Sequence, residues 1–565
     1  MTMILPTERP VEAFGLRAGR IEVPASQDQP ASDPAPPGDS TVEHVDGDLL
    51  QARAFARAHP DSPTAQARLA SSEISFGHRL SALEAAQRVV AHDTVDAPAL
   101  MVAAQILVAL GEIASAQEAL HKLLAADATE AGSTSAAAVL AARVAAHQGD
   151  PHEALELLSE SGTQAALALK GALFVQVGRY HDAIRVLREA LREVPDAPDA
   201  LGALGFAYAA VGSIGKAARA MTAAAALDPT DRSAGLNLAA LLISQGRGPD
   251  AVETVDRLIG YHPNDLGLER FAAAAMHASD DTAGALRRLR RAKTSPAARN
   301  ASAARKEELG LDILLLGTPP LARSEAFGAA AAALRRCDYR SEAITRTLAA
   351  TARTTKDLLT LETAYSELRK HHDTTALWFL ETKVAFLRLE FDRCVEAAVE
   401  WTHHEPFSVD AHITATYMLS LHAGDYQQAA QVGRAGLRRG IRHDALRNNV
   451  AFALAMDAKP EEAARLLPDF SEYEPALATA GLIEMVRGNH DRGAAMYEDC
   501  ARRLRNKGHR ELADLVSIHR ILAEISAGRT IPADRRTGFA DNAAVTDPDR
   551  AIVSGAIARE QSRRP

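Results

Sequence analysis

The sequence contains few cysteines and few aromatic residues. Its 565 residues include three cysteines, Cys337, Cys394 and Cys500, which lie far apart and form no CxxC pair. A disulfide framework or a structural zinc site needs more cysteines at closer spacing, so we expect three reduced thiols in a cytoplasmic protein. Aromatic residues make up 4% of the chain, and alanine is visibly the commonest residue. This composition favours closely packed helices over β-sheets.

The chain also lacks a long apolar segment and an excess of positive charge. The N-terminal residues show neither the basic start nor the apolar core of a secretory signal, and no stretch approaches the roughly 20 apolar residues of a membrane span. We therefore expect a soluble protein without membrane association. Lysine and arginine number 63 against 73 aspartates and glutamates, which gives a net charge of −10. A globally acidic chain is not a general polyanion binder, although a local basic patch is compatible with it.

Motifs for catalysis are missing as well, because HExxH, GxSxG and GxGxxG do not occur. The densest histidine clusters are His371-His372 and His403-His404-Glu405. Adjacent histidines on a helix point about 100° apart, so such neighbours seldom bind one metal ion together. We predict that the chain is not an enzyme and that it holds no cofactor and no metal.

A repeat of 34 residues runs through the first half of the chain. Between Ala165 and Pro195, an apolar stripe containing Gly171 is followed by Gly178 and then by a second stripe containing Ala183. Two steps of 34 residues return glycine, alanine and proline to the equivalent positions, at Gly212, Ala217 and Pro229 and at Gly246, Ala251 and Pro263. Apolar stripes separated by glycine and ended by proline predict helix–turn–helix units.

This pattern resembles the tetratricopeptide repeat superfamily, whose unit is a helix–turn–helix of about 34 residues. The resemblance covers residues 63–296 and 375–507, with poorly fitting units around Gly149 and over 326–372. It implies an all-α fold, an α-solenoid of helix–turn–helix repeats in two subarrays. The alanine- and arginine-rich composition also indicates a bacterial source.

From these patterns we predict five segments. The first is disordered and rich in proline, serine and aspartate, because it has too little apolar surface to fold. The last is a flexible tail with a short helix near 548–560. In order, the segments are a disordered region at 1–45, an N-terminal array at 46–296, a connector at 297–325, a C-terminal array with a capping helix at 326–527, and a tail at 528–565.

In the tetratricopeptide family, the first helix of each repeat lines a concave groove, and the resemblance implies the same geometry here. The corresponding residues are apolar and almost uncharged, so we predict exposed partner-binding surfaces that accept an apolar helix or peptide. They are Phe379, Lys383, Phe386, Met418, Leu421, Phe452, Met456, Leu482 and Met485 in the C-terminal array, and Met101, Val108, Phe206, Leu236 and Ile243 in the N-terminal array.

The resulting functional prediction is a non-enzymatic scaffold or adaptor for a protein partner of unknown identity. One alternative is a regulatory protein that binds nucleic acid or another polyanion through the basic segment 287–306, which begins with Arg287, Arg288, Arg290, Arg291 and Lys293. Such clusters bind phosphates, but this one lacks the aromatic residues that stack on bases. A further alternative is the helical regulatory partner of a separately encoded effector enzyme.

Overall fold

The computed structural model describes residues 42–75, 78–92, 96–126, 134–317, 323–352, 354–370, 377–469, 473–529 and 548–563. These residues form helices and turns, without a strand among them, which confirms the predicted all-α fold. The predicted disordered segment lies outside the described residues up to 41, and a helix begins at Val42. Within the described ranges, no helix is both long enough and apolar enough to cross a membrane.

Thirty α-helices are numbered here in chain order within the described residues. They are joined mostly by short turns, and one of them, α23, continues directly into a π-helical turn at Leu419–Ala423. Their bounds are α1 Val42–Ala58, α2 Pro63–Ser75, α3 Arg79–Ala91, α4 Ala97–Leu110, α5 Ile113–Ala126, α6 Thr134–His147, α7 Pro151–Leu157, α8 Gln164–Gln176, α9 Tyr180–Glu193, α10 Pro198–Ala210, α11 Ile214–Leu227, α12 Arg232–Ser244, α13 Gly248–Tyr261, α14 Leu266–Ala278, α15 Thr282–Thr294, α16 Pro296–Asn300, α17 Ala303–Leu315, α18 Arg323–Arg336, α19 Glu342–Thr351, α20 Leu358–Leu368, α21 Trp378–Leu387, α22 Phe391–His404, α23 Val409–Met418, α24 Tyr426–Arg438, α25 Asp444–Met456, α26 Pro460–Leu466, α27 Pro475–Val486, α28 His490–Asn506, α29 Arg510–Ser526 and α30 Pro548–Arg563.

The helices of the central repeats pair as the sequence predicts. Gly178, Gly212 and Gly246 end the first helix of their units with φ of 75°, 80° and 75°, a left-handed conformation that favours glycine. The alanines at the predicted helix crossings, such as Ala183 and Ala217, are fully buried. The second helix of each unit ends two residues before its proline.

The predicted connector at 297–325 contains α17 as a packed helix. α17 contacts α14, α15 and α18, so the stack of helices continues through this region. Arg270 on α14 is 6% exposed and forms ion pairs with Glu308 and Asp312 of α17. Ser341 donates a 2.7 Å hydrogen bond to the same Glu308 carboxylate. A buried ionic network therefore joins the two arrays.

Residues 548–563 of the predicted tail form α30, while 530–547 lie outside the described residues. The helix expected near 548–560 is present. α30 packs against α29 and against the π-helical turn. Its Ile552, Val553 and Ala556 are at most 1% exposed, and this stripe orders a segment whose overall composition is polar.

The two arrays also touch each other across long sequence separations. The edge of the Phe206 ring in α10 meets the Phe407 ring, with 5.3 Å between centroids and an angle of 85°. Arg439 donates from Nε to the carbonyl of Ala210 at 2.6 Å. The C-terminal part of α10 is therefore held by two sites of the C-terminal array. One is Phe407 before α23, and the other is Arg439 after α24.

A buried histidine supports this contact from the other side. Burial lowers the pKa of His412 to about 4, so its ring is neutral. The ring lies 2.8 Å from the Ser408 carbonyl through Nδ1 and 3.2 Å from Arg439 through Nε2. The neutral tautomer that fits both contacts donates to Ser408 and accepts from Arg439. This holds the arginine in position for Ala210.

We predict that Arg270→Ala destabilises the junction between the arrays. Removing one partner of a buried ion pair leaves Glu308 and Asp312 without their main counter-charge, which costs about 3–5 kcal/mol. Urea unfolding followed by helical circular dichroism measures this loss. The control is Arg287→Ala, which changes an exposed arginine on the adjacent α15. Equal stability of the two variants would contradict the junction role.

Candidate functional site

The first helices of the C-terminal pairs form one continuous surface. α23 contacts α25, α25 contacts α27, and α27 contacts α29. This order places four helices side by side, as expected for the groove side of a solenoid. This surface carries six of the nine partner-binding residues that the sequence predicts in the C-terminal array.

The predicted partner-binding residues are mostly not exposed, and the expectation of an open apolar surface is wrong for them. Met456, Met101, Leu236 and Ile243 are half-buried. Ten others are no more than 8% exposed: Phe379, Lys383, Phe386, Met418, Leu421, Phe452, Leu482, Met485, Val108 and Phe206. Their role in binding a partner remains a prediction.

The chain itself covers part of the C-terminal groove with α30. This helix contacts both α29 and the π-helical turn after α23, which are separated in the stack by α25 and α27. Its 16 residues span about 24 Å, and it joins α29 to the end of α23. Ile552, Val553 and Ala556 belong to the large buried cluster of the C-terminal half, which also contains five predicted groove residues: Met418, Leu421, Phe452, Leu482 and Met485.

Polar contacts fix α30 at both ends. The Tyr417 hydroxyl donates to Asp549 at 2.8 Å near the start of the helix. The Tyr426 hydroxyl donates to Glu560 at 3.0 Å near its end. These bonds set the direction and register of the helix, because each joins a tyrosine of α23 or α24 to a carboxylate at a fixed position along α30.

An arginine of α30 binds the end of α23. The Arg559 guanidinium donates to the Leu421 carbonyl at 2.7 Å and also to the His422 carbonyl. Gly424, which follows the π-helical turn, has φ of 65°. A Cβ at this glycine would lie 2.7 Å from Nε of Arg559. Glycine therefore leaves the space that the guanidinium occupies.

The groove of the N-terminal array is partly closed by the C-terminal array. Phe206 shares a buried cluster with Phe407, and Leu236 and Ile243 pack around the same cluster. Tyr180, the first residue of α9, donates its hydroxyl to the His403 carbonyl at 3.2 Å. These contacts occupy part of the surface that the resemblance assigns to a ligand.

A buried group of charged residues, which sequence analysis missed, lies beside the C-terminal groove. Arg346 forms ion pairs with Glu342 and Glu405 and lies 4.2 Å from the centre of the Phe379 ring. Burial raises the pKa of the nearby Asp410 to about 7, against the lowering effect of Arg346 and Lys383 and with the support of Glu405. The 34-residue pattern gives no signal for this group, because its members come from α19, α21 and the segment around Phe407.

The basic segment is less open than predicted at one position. Arg288 is 12% exposed and pairs with Asp256 and Glu269, so it stabilises the repeat stack. Four residues are exposed and form no ion pair among the described residues: Arg287, Arg290, Arg291 and Lys293. Polyanion binding by these four remains a prediction.

The histidine clusters make structural contacts where the structure describes them. His371 and His372 lie outside the described residues. His404 stacks on Trp378, and His403 lies 3.7 Å from Glu400. Within the described ranges, no three histidine, cysteine, aspartate or glutamate side chains are grouped as a metal site would require.

Comparisons with known proteins identify the repeats. Residues 101–165, 169–232 and 209–275 match the tetratricopeptide repeat family. A tetratricopeptide repeat protein from Parabacteroides merdae is 19% identical, with a TM-score of 0.34 over 45% of this chain and 98% of that one. The crystal structure of MamA is 19% identical, with a TM-score of 0.26 over 29% of this chain and 91% of that one. No curated protein matches.

We predict that Asp410→Asn changes the pH dependence of stability. Below about pH 4 the Asp410 carboxyl is protonated in both states, and between about pH 4 and 7 only the unfolded state releases its proton. Wild-type stability therefore falls as the pH rises through this range, since the folded pKa is the higher one. The asparagine variant lacks this loss.

Urea unfolding at pH 4 and pH 8 measures the effect. The stability of Asp410→Asn relative to wild type is expected to rise from pH 4 to pH 8. Asp196→Asn is the control, because Asp196 is exposed in a turn. A difference from wild type that does not change with pH would contradict the raised pKa.

Proposed function

We propose that this tetratricopeptide-repeat protein is a non-enzymatic, cytoplasmic scaffold of bacterial type that binds a helical segment of a protein partner in its C-terminal groove. Tetratricopeptide repeats form a protein-interaction fold in general, and such arrays present extended concave surfaces. The observation that carries the proposal is α30, because the surface predicted to bind a helix holds one from the same chain.

The groove favours a helix over an extended peptide. Val553 directly follows Ile552, and Ala556 comes three residues after Val553. Asp549 lies three residues before Ile552, and Glu560 lies four residues after Ala556. This spacing places all five on one helical face, and an extended strand would turn alternate residues away from the groove. Helix-in-groove recognition uses the same set of anchors.

A partner helix must compete with α30. Burial of each large aliphatic side chain contributes about 1.5–3 kcal/mol, so Ile552 and Val553 together provide much of the gross attraction. A helix attached to the same chain competes within one molecule, at an effective concentration that its connection sets. Partner binding is therefore selective for helices that match the groove better than α30 does.

The buried thiols agree with a cytoplasmic location, because Cys337, Cys394 and Cys500 are all buried and none is in a disulfide. Arg270 pairs with two carboxylates of α17, and Arg346 pairs with Glu342 of its own helix and with Glu405, which suits a positioning role more than a catalytic one.

Photo-cross-linking in the native host tests the proposed site. Val553→Glu weakens the docking of α30, and benzoylphenylalanine replaces Met456, a half-buried residue predicted to line the groove. We expect one partner protein to cross-link through a segment that forms an amphipathic helix. The yield from a chain with wild-type Val553 should be at least about threefold lower, since α30 competes.

Position 462 provides the matched control. Glu462 is exposed on α26, the second helix of the same repeat. Cross-links from position 462 and none from position 456 would show that partners bind the outer surface, and the proposed groove function would then be wrong.

A further inference from the structure

We infer that the C-terminal groove recognises a helix carrying an arginine, whose guanidinium binds the carbonyl groups at the end of α23. The inference rests on the proposed function and specifies the partner: a protein helix with one acidic residue, an apolar stripe and then this arginine. The recognition site for the arginine consists of the π-helical turn Leu419–Ala423 and Gly424, and is called here the arginine pocket.

The π-helical turn makes backbone carbonyls available to a ligand. After it, the amides of Gly424 and Asp425 both bond to the Leu419 carbonyl. The Leu421 and His422 carbonyls point instead to Arg559. Carbonyls at a helix C-terminus carry partial negative charge and lack partners within the helix, so a cation is stabilised there.

The arginine pocket suits arginine rather than lysine. Two nitrogens of one guanidinium, Nη1 and Nη2, reach two successive carbonyls. A planar fork with fixed donors makes this paired contact, whereas an ammonium group is a single point charge. Gly424 makes the site specific in shape as well, because any larger residue would place its Cβ in contact with the guanidinium.

The rest of α30 defines the spacing that a partner helix must share. Starting from Asp549, the groove-facing residues follow at steps of three, four, seven and ten: Ile552, Val553, Ala556 and Arg559. Tyr417 marks the acidic end, 2.8 Å from Asp549. Glu560 is 6% exposed and binds Tyr426 beside the pocket. The ligand is therefore an amphipathic helix with an acidic residue about ten positions before its arginine.

A peptide added to the full chain tests the inference. The probe is a fluorescein-labelled peptide with the sequence of Pro548–Arg563, and its binding is measured by fluorescence anisotropy. We expect at least about tenfold tighter binding to the Val553→Glu chain than to the wild-type chain, whose own helix occupies the groove. Arg559→Ala in the full chain is a second way to weaken α30, used if Val553→Glu lowers the melting temperature.

Peptide variants then test the arginine. Hydrogen bonds to a charged group contribute about 1.5–3 kcal/mol, so an Arg559→Ala peptide should bind at least about tenfold more weakly. An Arg559→Lys peptide should also bind more weakly. The control peptide carries Gln561→Ala at an exposed position and should bind like the original.

A substitution in the arginine pocket itself completes the test. Gly424→Ala in the Val553→Glu chain should weaken binding of the arginine peptide and leave binding of the Arg559→Ala peptide unchanged. Equal binding of the arginine, lysine and alanine peptides would overturn the arginine pocket but leave the helix-binding function standing. A folded, opened chain that binds none of the peptides would overturn both.

Discussion

The structure depends on covering the apolar face that the first helices of the repeats share. Pairs of helices bury their contacts with neighbours in the stack, but the groove side of such an array has no neighbour of its own. Leaving Met418, Leu421, Leu482 and Met485 in water would expose a large apolar patch. The helix α30 packs at both ends of this face, and its apolar stripe belongs to the same buried cluster as these residues. Under the proposed function, folding and recognition use one surface.

The same constraint explains how the two arrays are arranged. Phe407 in the C-terminal array covers Phe206 in the N-terminal groove, and Arg439 binds the backbone of α10. The buried pairs of Arg270 with α17 continue the stack through the region between the arrays. These contacts place part of the N-terminal groove inside the molecule, so the proposed function assigns partner binding to the C-terminal groove.

The sequence predicts the local parts of this structure well, because glycine, alanine and proline act at fixed positions within one repeat. Gly178 and Ala183 adopt the conformation and burial that the pattern requires. The exposure of the groove was predicted wrongly, since the residues that cover it lie far away in the sequence and carry no repeat signal. Phe407 and Phe206 are an example. The stripe of Ile552, Val553 and Ala556 was a signal for α30, but the polar composition around it favoured a flexible tail. In the sequence, Arg270 and Glu308 look like ordinary solvent-exposed charges, and only the folded structure brings them together.

Hydrogen exchange of the intact chain tests the central claim most directly, namely that α30 occupies the C-terminal groove. The amides of residues 552–563 are measured beside those of α29, on which α30 packs. The account predicts slow exchange in α30, at least about a hundredfold slower than in a free peptide of the same sequence, since a docked helix opens only by leaving the groove. Exchange of these amides at the rate of the free peptide would contradict it.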